Sequence, residues 1–221
     1  MIGSSFRLEQ QDAIDFLKTI GSDSVDLFIT DPAYESLEKH RKIGTTTRLT
    51  KQWFDIFPNT RYTDLFTEMF RVLKNNRHCY VFCDQETMFV IKPIAEACGF
   101  KWKKALIWDK VAIGMGYTFR AQHEMIVYLE KGKRKLNSNS ISDVLSYKRI
   151  SKSDYPTQKP IDLAKVLINQ STFPGELIMD PFMGSGFVGV GSLQEKRLFW
   201  GNDISPVAYS LSSAKMLLDE Y

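Results

Sequence analysis

The chain has 221 residues, 43% of them hydrophobic and 25% charged, with a net charge of +3. That suits one α/β domain spanning 1–221, and no stretch approaches the eighteen or more apolar residues needed to cross a bilayer. The first residues reach charge too soon for a secretory signal. Cys79, Cys83 and Cys98 form no CxxC pair, which argues against a disulfide framework or a metal site and for the cytoplasm.

Taken in chain order, Phe6–Leu8 reads as a short strand and Asp12–Ile20 as a short amphipathic helix. The apolar run Val25–Thr30 has strand length and stops abruptly at Asp31-Pro32. Tyr62–Lys74 has helical spacing, Cys79–Cys83 is a short buried strand, and Gln85–Cys98 is a helix closed by Gly99. Ala105–Trp108 and Met125–Leu129 are strand-like. Pro160–Gln170 is a helix, Leu177–Met179 a strand, Gly186–Gln194 a helix, Leu198–Gly201 a strand and Pro206–Leu218 a closing helix. The serine-rich stretch 137–142 and the threonine run 45–47 read as loops. This alternation predicts a mostly parallel sheet with helices on both faces, which binds ligands beyond the carboxyl ends of its strands.

Residues 180–191, Asp-Pro-Phe-Met-Gly-Ser-Gly-Phe-Val-Gly-Val-Gly, follow a strand and open a helix. Gly184 and Gly186 let the backbone turn tightly and approach a ligand. The next strand ends in Gly201-Asn202-Asp203, where an acid can accept hydrogen bonds from ribose hydroxyls. The pattern points to a nucleoside. It lacks the Gly-Lys-Ser/Thr ending of a triphosphate loop.

Asp31-Pro32-Ala33-Tyr34 lies at a second strand end. An exocyclic base amine is a poor nucleophile, because its lone pair is delocalised into the ring. A carboxylate and a backbone carbonyl that each accept one N–H can aim that lone pair at an incoming group. Proline fixes the turn without donating an N–H, and an aromatic face can stack on an extruded base.

These residues resemble the permuted, beta-class DNA amino-methyltransferases, in which a catalytic Asp-Pro-Pro-Tyr precedes a cofactor turn Asp-Pro-Phe-x-Gly-Ser-Gly-Thr. Gln11-Asp12-Ala13 is similar to the family's Gly-Asp-Ala, and Tyr155-Pro156-Thr157-Gln158-Lys159-Pro160 to its His-Pro-Thr-Gln-Lys-Pro. The resemblance implies a Rossmann-like methyltransferase fold, with S-adenosylmethionine as cofactor and double-stranded DNA as partner. Asp31, Pro32, Ala33 and Tyr34 would form the catalytic turn, Asp31 and Pro32 holding the amine and Tyr34 stacking on the base. Asp12, Lys159, Asp180, Phe182, Gly184, Ser185, Gly186 and Asp203 would surround the cofactor. Ala33 replaces the second proline, which predicts a less rigid loop. Phe187 replaces the threonine, which removes a capping hydroxyl.

Basic residues mark the expected DNA contacts. Arg41, Lys42 and Arg48 lie in a catalytic-side insert, 35–61, and Arg120 in a basic-aromatic segment. Lys133, Arg134, Lys135, Lys148 and Arg149 lie in 131–155, where the family places target recognition. Trp53 and Phe54 could wedge into the duplex or pack a lid, and Phe82-Cys83-Asp84-Gln85 could line the adenine pocket or close a strand. Asp rather than Ser at the catalytic turn favours N6 of adenine over N4 of cytosine within the family. A dinucleotide-dependent oxidoreductase and a DNA-binding relative without catalysis are the other readings. The resemblance leaves room for a homodimer and for a restriction endonuclease partner.

Overall fold

The computed structural model describes residues 5–38, 55–114, 119–150, 155 and 157–219. Its strands are β1 (Phe6–Glu9), β2 (Val25–Thr30), β3 (Leu73–Cys83), β4 (Lys101–Asp109), β5 (His123–Lys131), β6 (Val144–Ser146), β7 (Leu177–Asp180) and β8 (Leu198–Asn202). Six helices accompany them among the described residues: α1 (Ala13–Lys18), α2 (Tyr62–Val72), α3 (Gln85–Ala97), α4 (Ile161–Ser171), α5 (Phe187–Gln194) and α6 (Pro206–Asp219).

All eight strands join one sheet in the order β1-β8-β7-β2-β3-β5-β4-β6. Only β5 runs antiparallel to its neighbours. The central strands β2 and β7 are buried at every residue, because both faces are covered, and so they read as mainly apolar runs. On one face Phe28 packs with Phe16, Phe66, Met69 and Ile91 of α1, α2 and α3. On the other, Leu27 and Ile29 pack with Leu163, Leu167, Val188 and Met216 of α4, α5 and α6. The expected two-faced, mostly parallel architecture is present.

Strand order fixes where a ligand can enter. From β7 the chain passes outward to β8, and from β2 it passes the other way to β3, so the loops after these neighbouring strands diverge. Such a divergence opens a crevice at the carboxyl edge.

Several boundaries differ from the periodicity; β4 begins at Lys101 and β5 at His123, both ahead of their apolar runs. β3 begins six residues earlier than the apolar run, through polar Lys74–Arg77. Lys74 and Arg77 side chains donate to the buried Asp26 carboxylate at 2.9 and 3.0 Å, so this polar stretch is tied across β2. α2 ends at Val72 rather than Lys74, where the Lys131 ammonium takes the carbonyls of Phe70 and Leu73 at 2.8 and 2.6 Å. β6 forms just beyond the serine-rich loop stretch, where the periodicity predicts no strand. Trp108 Nε1 donates to the Tyr147 carbonyl at 2.7 Å and secures this edge strand. Gly99 closes α3 as expected, with φ +105°, and a Cβ there would meet the Phe70 ring at 2.8 Å.

Candidate active site

The turn after β2 and the turn after β7 open onto one cavity of about 190 Å³. Asp31, Pro32, Ala33 and Tyr34 all line it. So do Asp12, Lys159, Phe182, Gly184, Ser185 and Asp203 from the expected cofactor set. Asp180 and Gly186 stand behind this wall, both buried.

Gly184 and Gly186 turn at φ +50° and +81°, a backbone region that favours glycine, and this starts α5 directly under the cavity. Asp203 locks the turn, its carboxylate accepting from Gly184 N–H and Ser205 N–H at 2.9 Å each. Burial pushes the Asp203 carboxyl up. Asp180 accepts from Thr30 Oγ1 at 2.8 Å and from Phe182 N–H at 3.0 Å, which ties the two strand ends together. Its second oxygen is buried with no partner among the described residues, and burial raises the carboxyl to about 8.

That value sets a stability test. The unfolded chain ionises Asp180 near pH 4, whereas the folded chain keeps the proton to about 8. Asp180 therefore stabilises the fold fully below pH 4, and this contribution is lost as pH rises to 8. In thermal unfolding without cofactor, the wild-type midpoint minus that of Asp180→Asn is expected to decline from pH 5 to pH 8. A difference that stays flat would overturn this assignment.

The catalytic-type turn is pinned despite Ala33. Phe57 N–H donates to the Ala33 carbonyl at 2.7 Å, and Tyr34 pairs with Phe57 in a β-bridge. Rigidity expected from a second proline is thus supplied by a neighbouring segment. Phe57 also meets Phe182 edge-on at 5.0 Å, joining the two turns through an aromatic contact. Phe187 packs edge-on against Phe82 at 5.7 Å and lines the cavity, so an apolar wall replaces the missing hydroxyl.

Asp12 caps α1, accepting from Ile14 N–H at 3.0 Å, and Arg61 grips the same carboxylate through two bonds of 2.8 Å. Arg61 holds it below its ordinary range. Sequence reading did not single out Arg61 for this role, and 49 residues separate the pair. Asp84 caps α3 through Thr87 N–H at 2.8 Å and accepts from Ser36 Oγ, so this strand end anchors the catalytic-type loop.

Lys159 is the main surprise. Its buried ammonium donates to Asp31 Oδ2 and lies 3.3 Å from Glu124 Oε2, while Lys110 Nζ reaches Glu124 Oε1 at 2.6 Å. Burial raises the Asp31 carboxyl, and Lys159 draws it partly back. Burial also opposes ionised Glu124, but Lys159 and Lys110 outweigh it and hold that carboxyl low. Glu124 lines the cavity and was not assigned from sequence.

Of the basic residues, Arg41, Lys42 and Arg48 lie outside the described residues, as do Trp53 and Phe54. Arg120 is exposed just before β5, whose first residues pair with the carboxyl end of β3 on the cleft side. Lys148 and Arg149 follow the cleft-side end of β6. Lys133, Arg134 and Lys135 do not join them. Because β5 is antiparallel, its last residue, Lys131, pairs with Arg77, so these three follow at the opposite end of the strands. Arg134 stacks over Phe173 at 5.5 Å there.

A doubly wound sheet with a glycine turn, an acid at the next strand end and an Asp-Pro-x-Tyr turn in one crevice defines a nucleoside-using transferase. The profile of the DNA methylase family of N6/N4 methyltransferases matches residues 25–214, and the chain belongs to that family. It is 26% identical over 234 residues to the DNA adenine methyltransferase YhdJ of Escherichia coli K12, covering 88% of this chain and 76% of the relative. Its fold matches the M1.HpyAVI–SAM complex with a TM-score of 0.71 at 21% identity, covering 95% and 99% of the two chains. It also matches the cytosine-N4-specific PvuII DNA methyltransferase with a TM-score of 0.74 at 14% identity, covering 96% and 86%. Family membership displaces the oxidoreductase reading. No helix among the described residues is long and apolar enough to cross a membrane.

Proposed function

We propose that the chain methylates the N6 amine of adenine in duplex DNA, with S-adenosylmethionine as donor and the target base extruded from the helix. The single cavity shared by the Asp31–Tyr34 turn and the Phe182–Ser185 turn carries this reading. The adenine relative and the aspartate at the catalytic turn support adenine as the target.

The residues fit the donor. Asp203 and Asp12 offer carboxylates to hydroxyl and amine donors, Phe182 presents a ring, and the unpartnered oxygen of Asp180 lies just behind the turn. S-adenosylmethionine, when bound, would supply a sulfonium methyl for the amine nitrogen, with the neutral thioether S-adenosylhomocysteine as leaving group. Asp31 and the Pro32 carbonyl each accept one N–H of the amine and aim its lone pair, and Tyr34 stacks on the base. The methylated amine is acidic and sheds its proton afterwards, so no residue need act as a strong base. Catalysis is then positioning and electrostatics.

The DNA face follows the cleft-side edge, where Arg120, Lys148 and Arg149 would meet phosphates. Phe119, fully exposed beside Arg120, suits a stacking or wedging contact.

Duplex DNA treated with the protein, digested and analysed by nucleoside mass spectrometry, is expected to contain N6-methyladenine. The PvuII fold match favours N4-cytosine as the second reading, and N4-methylcytosine as the product would replace the first. Neither product would indicate a relative without catalysis.

A further inference from the structure

Asp31 Oδ2 already accepts from Lys159, so a target amine at Asp31 meets a carboxylate whose charge is shared with a buried ammonium. That ammonium has few alternatives. Lys159 is only 5% exposed, and it is sandwiched by the Phe82 ring at 4.9 Å and the Trp108 ring at 5.9 Å. The one other carboxylate described beside it is Glu124, at 3.3 Å. Glu124 is itself fixed by Lys110, whose ammonium lies 2.6 Å from it and 5.3 Å from the Trp108 ring. Two carboxylates and two ammoniums leave the group neutral, which a desolvated pocket requires.

We infer that Glu124 is a positioning residue that shares the Lys159 ammonium with Asp31, so that the Asp31 carboxylate can turn more of its charge to the target amine while the pocket stays neutral. This rests on the methyltransferase reading of Asp31. With no base present, Lys159 spans both carboxylates. When the amine N–H arrives at Asp31, Lys159 keeps a full ionic partner in Glu124, and no buried charge is stranded. Without Glu124, the Lys159 charge falls on Asp31 alone, which draws the carboxylate away from the amine. Lys110 holds Glu124 at the distance that makes the exchange short.

The charged and ionisable groups around Asp31 come from every adjoining element. They are Lys159 before α4, Glu124 on β5, Lys110 after β4, Asp180 on β7 and Cys83 on β3. The nearby phenols of Tyr34, Tyr62 and Tyr155 and the Cys83 thiol are all pushed up by burial and stay neutral. Glu124 raises the Asp31 carboxyl and Lys110 lowers it. Neutralising each in turn therefore moves Asp31 in opposite directions.

The test is a pH profile of methyl transfer to duplex DNA at saturating cofactor, for wild type, Glu124→Gln, Glu124→Asp and Lys110→Met. Glu124→Gln is expected to lower kcat about 10²-fold, the scale of a misplaced reacting group, with KM for DNA changed only a few-fold. Its acidic limb moves to lower pH, the limb of Lys110→Met moves to higher pH, and Glu124→Asp recovers part of the rate. Calorimetry with S-adenosylhomocysteine reports an affinity close to wild type in each variant. Unchanged kcat in Glu124→Gln, limbs that do not move, or loss of S-adenosylhomocysteine binding together with activity would each overturn the role. The methylated base is identified in the same digests. A cytosine product with shifted limbs removes the adenine reading and keeps the positioning role, whereas an adenine product with fixed limbs does the reverse. A wild-type protein that transfers no methyl group would overturn both.

Discussion

Asp31→Ala is expected to lower kcat for DNA methylation by about 10³-fold while the affinity for S-adenosylhomocysteine stays within a few-fold of wild type. The carboxylate is placed to act on the reacting nitrogen, and its removal leaves the bonds between Asp203 and the β7 turn in place. The change costs stability, because Lys159 loses one of two carboxylates, but Lys159 keeps Glu124 as an ionic partner at 3.3 Å and the fold is expected to survive. Labelled methyl transfer and calorimetry, run on the same preparation, measure the two quantities. Activity within tenfold of wild type would remove Asp31 from the reaction. Loss of cofactor binding in step with activity would make it a structural residue.

Much of this site could be read before the fold was known, because its parts are local. β2 and β7 are covered on both faces, so each appears in the sequence as a mainly apolar run, interrupted in β2 by Asp26, and the acid that ends or follows the run marks the cleft. Asp31, Gly184 and Asp203 were legible for that reason. Lys159 was legible by family resemblance, but its partner was not. Glu124 reaches it only because β5 runs antiparallel beside β3, a pairing that no local pattern encodes. The same strand direction misled the reading of the basic stretch. Lys133, Arg134 and Lys135 lie close in sequence to Lys148 and Arg149, yet the sheet separates them by the length of a strand. Arg61 escaped notice through distance alone, since its carboxylate partner is Asp12, 49 residues away. β6 escaped because three residues of an edge strand carry too little pattern to distinguish them from loop.

The counterpart to Asp31 is Asp203, and its replacement should fail in the other direction. Asp203→Ala is expected to weaken S-adenosylhomocysteine binding about 10- to 100-fold, the cost of losing one or two hydrogen bonds to a charged acceptor, while kcat at saturating cofactor changes only a few-fold. The carboxylate anchors Gly184 N–H at 2.9 Å, so its loss both frees the turn and removes an acceptor for the ligand. Burial raises this carboxyl, so in wild type the affinity should begin to fall at a higher pH than for an ordinary aspartate, as the ionised acceptor is lost on acidification. The alanine variant has no such group and its affinity should be flat across that range. Calorimetry from pH 4.5 to pH 8 measures both curves. If the variant binds as tightly as wild type, or retains the acid-side decline, the acceptor lies elsewhere, and Asp12 and Asp55 are the other aspartates of the cavity, outside the catalytic-type turn, that could supply it.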